Sequence, residues 1–187
     1  MNIGIDLDGT ITDFHRYLVR YGKIFLKNNN IKYKIKDSKA FHEEDIFDIN
    51  NDELELLKKY IRTELRMKVK PRKNASYFLK KLHDMNYKIY IITSRKESDQ
   101  IDCLNNTKKW LKDNDIYYDY LIIGNSNKLE ECINNKIDIF IDDKIKHCKA
   151  VFDKGIKSYI FNNVYNKDTN IDRVNNFDML LEKIIDK

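Results

Sequence analysis

The chain opens on an alternation: Ile3, Ile5 and Leu7 are apolar, Gly4 and Asp6 separate them, and Asp8-Gly9 breaks the pattern. Alternation of that length predicts a short strand running into a tight turn. Beyond Ile11 the spacing lengthens to Phe14, Leu18, Tyr21, Ile24 and Phe25, the period of a helix, which Asn28-Asn29-Asn30 ends. A less regular region follows, with a strand expected at 31–35 and an aromatic-acidic stretch at 41–47. Asp52, with Glu55 three residues on, reads as the N-cap of a helix through Leu54, Leu57, Ile61 and Leu65. Pro71, the only proline, marks a boundary, and Ala75, Phe78, Leu79, Leu82 and Met85 beyond it predict another amphipathic helix.

From Tyr87 the rhythm is strand, turn and helix in repetition. Strands are expected at 89–92, 120–123, 137–141 and 158–161. Helices are expected from about Gln100 to Lys112 (with Ile101, Leu104, Trp110 and Leu111), around Cys132, around Cys148, and at 177–185. Such alternation argues for an α/β fold, a parallel sheet covered by helices on both faces. Residues 14–70 interrupt it as a small, mostly helical insertion after the first strand, leaving 1–13 and 71–187 as the core.

Composition narrows the class. With 187 residues, 42% of them apolar and 35% charged, the chain suits one globular domain carrying a modest insertion. The net charge of +5 comes from 35 basic and 30 acidic residues spread along the sequence, with no basic block, so nucleic acid is not an expected partner. Three cysteines, Cys103, Cys132 and Cys148, form no Cys-x-x-Cys pair, which argues against a zinc or disulfide framework and for reduced thiols. No apolar run approaches the ~20 residues of a membrane span, and Asp6 and Asp8 fall where a signal peptide would be apolar. A cytoplasmic protein without membrane contact is expected.

Chemistry gathers at the strand ends. Asp6 and Asp8, one residue apart, leave the first strand at its C-terminal edge, where open α/β sheets bind ligands. Two such carboxylates repel unless a cation lies between them or one keeps its proton. Later strands run into Thr93-Ser94, into a loop ending at Lys128, and into Asp142-Asp143. Each has an ordinary reading, as a helix cap, a solvated lysine or an acidic turn. Four in succession at strand ends ask for a common reason.

The run Asp6-Leu7-Asp8-Gly9-Thr10 after an apolar strand resembles the first motif of the haloacid dehalogenase superfamily, and Thr93-Ser94, Lys128 and Asp142-Asp143 resemble its other three. The resemblance implies a Rossmann-like three-layer α/β/α core with residues 14–70 as a cap. It also implies roles: Asp6 as the nucleophile toward phosphorus and Asp8 as general acid and base. Gly9, Thr93, Ser94, Arg95 and Lys128 would then contact the phosphate, and Asp6, Asp8, Asp142 and Asp143 would hold Mg²⁺, the last two open as to which touches it. Arg95 has a second reading, as the partner of a nearby acid.

Taken whole, the chain looks most like the 5'(3')-deoxyribonucleotidases and their bacterial relatives, which implies a small phosphate ester, a nucleoside monophosphate, as substrate. A sugar-phosphate phosphatase, a polynucleotide end phosphatase and a silent phosphate-binding protein are the alternatives. Phe41, Phe47 and Tyr60 are candidates to stack on a base, with core packing as the competing reading; Phe14 and His15 are near enough in sequence to reach the site. Oligomeric state stays open, a homodimer included.

Overall fold

The computed structural model describes residues 1–96, 102–167 and 170–185. In chain order its elements begin with β1 (Asn2–Ile5), α1 (Phe14–Asn28), β2 (Lys34–Ile35), α2 (Glu43–Ile46), β3 (Phe47–Asp48) and α3 (Asn51–Tyr60). A π-helical turn at Ile61–Leu65 carries α3 into the short α4 (Arg66–Lys68). There follow α5 (Ala75–Asp84), β4 (Lys88–Thr93), α6 (Cys103–Asp113), β5 (Tyr120–Ile123) and α7 (Lys128–Asn134). The chain finishes with β6 (Ile139–Asp142), α8 (Ile145–Phe152), β7 (Lys157–Phe161), β8 (Arg173–Val174) and α9 (Phe177–Ile185).

The expected α/β architecture is present as one parallel sheet in the order β5-β4-β1-β6-β7-β8. Ile3 and Ile5 face Ile89 and Ile91 on one side and Ile139 and Ile141 on the other. Strands β4 and β6 are near-continuous in apolar residues because both faces are covered, which removes the need for alternation. On one face Cys132, Cys148 and Val151 pack with Ile92, Phe140 and Ile160. On the other, Phe177 of α9 lies against Phe78 of α5 and Phe161 of β7, ring centroids 5.0 Å apart in both pairs. The chain lays β4 and β5 to one side of β1, then crosses to lay β6 and β7 on the other. A crevice outside the C-terminal strand ends is expected at that reversal.

The chain forms two compact units, residues 1–12 with 70–187, and residues 13–69. The second has its own core of Leu18, Leu26, Ile46, Phe47, Leu57, Ile61, Leu65 and Val69. Gly22 on α1 lets Phe47 approach: a Cβ there would lie 2.8 Å from Phe47 Cζ and 3.0 Å from Cε2. The ring is fully buried and has nowhere to withdraw. Alanine gains about 1 kcal/mol over glycine in a helix, whereas overpacking a core costs about 1–3 kcal/mol. Gly22→Ala is therefore expected to destabilise this unit by about 1 kcal/mol in denaturant melts, and a rise in stability would refute the packing argument.

Several expected boundaries move. Helix α1 starts at Phe14, because Ile11 and Thr12 are held in the turn after β1, with Thr12 N–H donating to Leu7 O at 3.0 Å. The strand at 31–35 shrinks to Lys34–Ile35, paired antiparallel with β3. The cap of α3 is Asn50, not Asp52: Asn50 Oδ1 accepts from Glu53 N–H at 3.0 Å while Glu53 Oε2 accepts from Asn50 N–H at 2.9 Å. Helix α6 begins at Cys103, and Gln100 and Ile101 lie outside the described residues. Strand β8 was not expected from the sequence; two residues leave no pattern to read.

Candidate active site

Parallel pairing puts the C-terminal ends of β4, β1 and β6 side by side, so Thr93, Asp6 and Asp142 are delivered to one edge by the sheet itself. Asp6 N–H donates to Ile141 O at 2.9 Å, extending the β1–β6 ladder to the first acid. The turn that follows is tight: Thr12 Oγ1 donates to Leu7 O at 3.3 Å and accepts from Gly9 N–H at 3.4 Å. Gly9 has φ +98°, and a Cβ on it would come within 2.6–2.7 Å of the Asp143 carboxyl group. Only glycine fits this turn, on both counts.

Lys128, the first residue of α7, is the cation of the site. Its buried ammonium hydrogen-bonds Asp6 Oδ1 and lies 3.0 Å from Asp142 Oδ2. Asp142 also accepts from Lys144 N–H at 2.8 Å, and its Oδ2 is 2.9 Å from His147 Nδ1. Asp143 accepts from Thr10 Oγ1 at 3.2 Å and from the Tyr165 hydroxyl at 2.6 Å. The carboxylates of Asp6, Asp142 and Asp143 offer oxygens that all lie within 4.8 Å of one another.

Burial and mutual repulsion set their acidities. Asp6 is pushed up to about 6, by burial first and by Asp142 and Asp8 beyond that, against the pull of Lys128. Asp143 is raised well above the usual range by burial, Asp142 and Asp6. Burial would also raise Asp142, but Lys128, His147 and the Lys144 N–H outweigh it and hold it far below. For Lys128 the opposing carboxylates overcome burial and raise the ammonium's pKa. Three buried acids thus lie around one ammonium, and two of them are raised above the usual carboxylate range. The cluster is short of positive charge.

Arg95, one residue past Ser94, closes a fork on Asp8: Nε donates to Oδ2 at 2.8 Å and Nη2 to Oδ1 at 2.6 Å. Its Nη1 donates to Thr107 Oγ1 on α6 at 3.3 Å. Of its two sequence readings, the geometry carries the pairing with a nearby acid. Ser94 donates to Asn125 O at 3.5 Å, and Thr93 is buried at the end of β4.

Other contacts escaped the sequence. Asn163 Nδ2 and Arg72 Nη2 both donate to Gly9 O, at 2.8 and 3.1 Å, and Arg72 also donates to Asn163 Oδ1 at 2.8 Å. Asn166 Nδ2 donates to Asp143 O at 2.6 Å. Asn163, Tyr165 and Asn166 belong to the loop after β7, which leaves the sheet at the same edge as the other motifs. That shared edge was the available signal.

In the unit of residues 13–69, Phe47 is fully buried in the core and Tyr60 stacks on Phe25 at 4.5 Å. Phe41 remains partly exposed and sits edge-on to His42 at 4.8 Å. His15 Nε2 lies 2.9 Å from Ala40 O. Among the described residues no helix is long and apolar enough to cross a membrane.

Comparison with known proteins places the chain in a family. The family model described as haloacid dehalogenase-like hydrolase matches residues 3–118. A nucleotidase of Clostridium acetobutylicum is 30% identical over 185 residues, covering 95% of this chain and 90% of that protein. A protein of Bacillus subtilis that carries a nucleotidase name is 29% identical over 187 residues, covering 95% of this chain and 90% of that protein. Among solved structures, a haloacid dehalogenase-type hydrolase of B. subtilis bound to magnesium superposes with a TM-score of 0.67 at 15% identity, covering 100% of this chain and 98% of that one.

Proposed function

The chain belongs to the haloacid dehalogenase-like hydrolases, and we propose that within them it is a Mg²⁺-dependent phosphomonoesterase that hydrolyses nucleoside monophosphates to nucleoside and phosphate. The observation that carries this reading is the contrast between its first two acids. Asp6 is buried against an ammonium, while Asp8, two residues on, is held on the flank by a guanidinium. Two carboxylates in unlike surroundings are suited to different roles in one reaction.

In the mechanism, an Asp6 oxygen attacks phosphorus as the bond to the ester oxygen breaks, giving an aspartyl-phosphate. Asp8 gives its proton to the departing alkoxide, then takes one from the water that attacks the phosphorus and frees Asp6. Lys128 and Thr93 meet the charge that develops on the other phosphoryl oxygens. The acid cluster fits a hard divalent cation: its donors are all oxygens, and it lacks positive charge. Asp6, Asp143 and the Asp8 carbonyl would hold Mg²⁺, because Asp142 is already committed to Lys128, His147 and the Lys144 N–H. When bound, Mg²⁺ supplies charge neutralisation and orients the phosphate.

Residues 13–69 would act as the cap that chooses the substrate, as an insertion after the first strand does in this family. The names of the two relatives near 30% identity favour nucleotides over sugar phosphates. Three buried cysteines outside any disulfide suit a reducing cytoplasm.

The test is phosphate release from nucleoside 5'- and 3'-monophosphates and common sugar phosphates, run with Mg²⁺ and with EDTA. Release concentrated on nucleotides and abolished by EDTA is expected. Release from sugar phosphates alone would keep the chemistry and discard the nucleotidase assignment.

A further inference from the structure

Arg95 is 3% exposed, although a guanidinium is among the costliest groups to bury. A buried arginine is tolerated when its fork is filled, and here the fork is filled by Asp8. Both carboxylate oxygens are taken, by Nε and Nη2, so the plane of the Asp8 carboxyl group is fixed as well as its position. Unrestrained, that final torsion is broad for aspartate. Thr107 on α6 anchors the guanidinium from behind through Nη1. The backbone N–H of Arg95 also donates to Thr93 Oγ1 at 3.3 Å. With that lone pair used, the Thr93 hydroxyl is left to spend its proton on another oxygen.

We infer that Arg95 is a positioning residue for Asp8: its fork, braced by Thr107, aims the proton-transferring carboxyl group at the ester oxygen. The inference rests on the phosphomonoesterase reading above. In the first half-reaction the P–O bond to the leaving group breaks, its electron pair stays on that oxygen, and the Asp8 proton joins it. In the second, Asp8 must lie beside the attacking water to take its proton. A proton donor that swings freely spends little time within the ~3 Å that transfer requires. The role differs from holding phosphate, because nearly all of the guanidinium surface is already covered by protein.

The chemistry supplies a readout that general loosening of the fold would not move. An alkyl phosphate, such as thymidine 5'-monophosphate, releases a poor leaving group and needs the acid. An aryl phosphate, p-nitrophenyl phosphate, releases an anion stable near neutral pH and does not. The parameter is kcat/KM, which covers the first step alone, measured for wild type, Arg95→Gln, Arg95→Lys and Thr107→Val. Arg95→Gln is expected to lose roughly 10²-fold or more on the alkyl ester and no more than about tenfold on the aryl ester. Arg95→Lys keeps the charge without the fork and is expected to show the same imbalance. Thr107→Val, which leaves the fork in place, is expected to show a weaker one and covers the case that the Arg95 variants fail to fold. Rapid mixing of Arg95→Gln with the aryl ester should give a burst of nitrophenolate, since the second step still needs Asp8. Equal losses on both esters, or full activity in Arg95→Lys, would overturn the role of Arg95 and leave the phosphatase reading standing. A wild type silent on both esters would overturn both.

Discussion

Asp6→Asn is expected to release no phosphate and yet, in EDTA above neutral pH, to melt at a higher temperature than the wild type. Loss of turnover follows from the role proposed for Asp6 as the nucleophile, since removal of such a group costs roughly 10⁴-fold or more. The stability gain follows from acidity. Burial and the neighbouring acids raise the Asp6 carboxyl from 3.8 to about 6. An acid whose pKa is higher folded than unfolded favours the fold while protonated and loses that contribution as pH rises through the folded value. The charged Asp6 therefore costs up to about 3 kcal/mol above neutrality and little near pH 4. Asparagine has the shape of the neutral acid at every pH. The two melting curves should coincide near pH 4 and separate by several degrees above pH 7, with the variant higher. A variant that melts lower at both pH values would show that Asp6 is held by Lys128 at a profit, and the account of the cluster would fail.

Lys128→Met is expected to move stability the other way. It removes the ammonium that Asp6 and Asp142 share, leaving buried carboxylates facing one another. Stripping one partner from a buried ion pair costs about 3–5 kcal/mol, which for a domain of this size lowers Tm by roughly 10 °C. Turnover should vanish with it. Unchanged melting in EDTA would mean that the acids take up protons freely and that Lys128 carries little of the structure. Together the two variants ask whether the site is built for stability or against it; opposite shifts would show function held at the expense of the fold.

The sheet and the polar residues gathered at its edge were legible for one shared reason. Parallel strands present their C-terminal ends on one edge, so Asp6, Thr93 and Asp142 could be placed together from order alone. Lys128 could be placed because a helix that starts just past β5 begins at that edge. What stayed hidden depends on side-chain reach. His147 meets Asp142 only because α8 starts directly below it, and Tyr165 meets Asp143 through an irregular loop. Neither has a spacing that a sequence pattern encodes. The cap of α3 was ambiguous because Asn50 with Glu53 and Asp52 with Glu55 both spell a capping box. The earlier one adds two residues of helix, and elongation favours it once a nucleus exists. Phe47 was a candidate for substrate because it is aromatic; Gly22 opposite it made it core.

The junction at Thr12 and Pro71 also bears on how such a chain can change over time. Arg72 N–H donates to Ile11 O at 2.8 Å, Pro71 bridges Thr12, and the Arg72 side chain clasps Gly9 O. The two ends of the insertion are thus tied to each other by the unit of residues 1–12 and 70–187, independently of what lies between them. Closing a loop between fixed ends costs only about 0.6 kcal/mol more for each doubling of its length. A splice between residues 12 and 70 is therefore tolerant of almost any insert that folds alone. On the cap reading proposed above, the core could be inherited unchanged while the insertion is replaced wholesale, and a graft of a relative's insertion at these two positions is the way to test that reading.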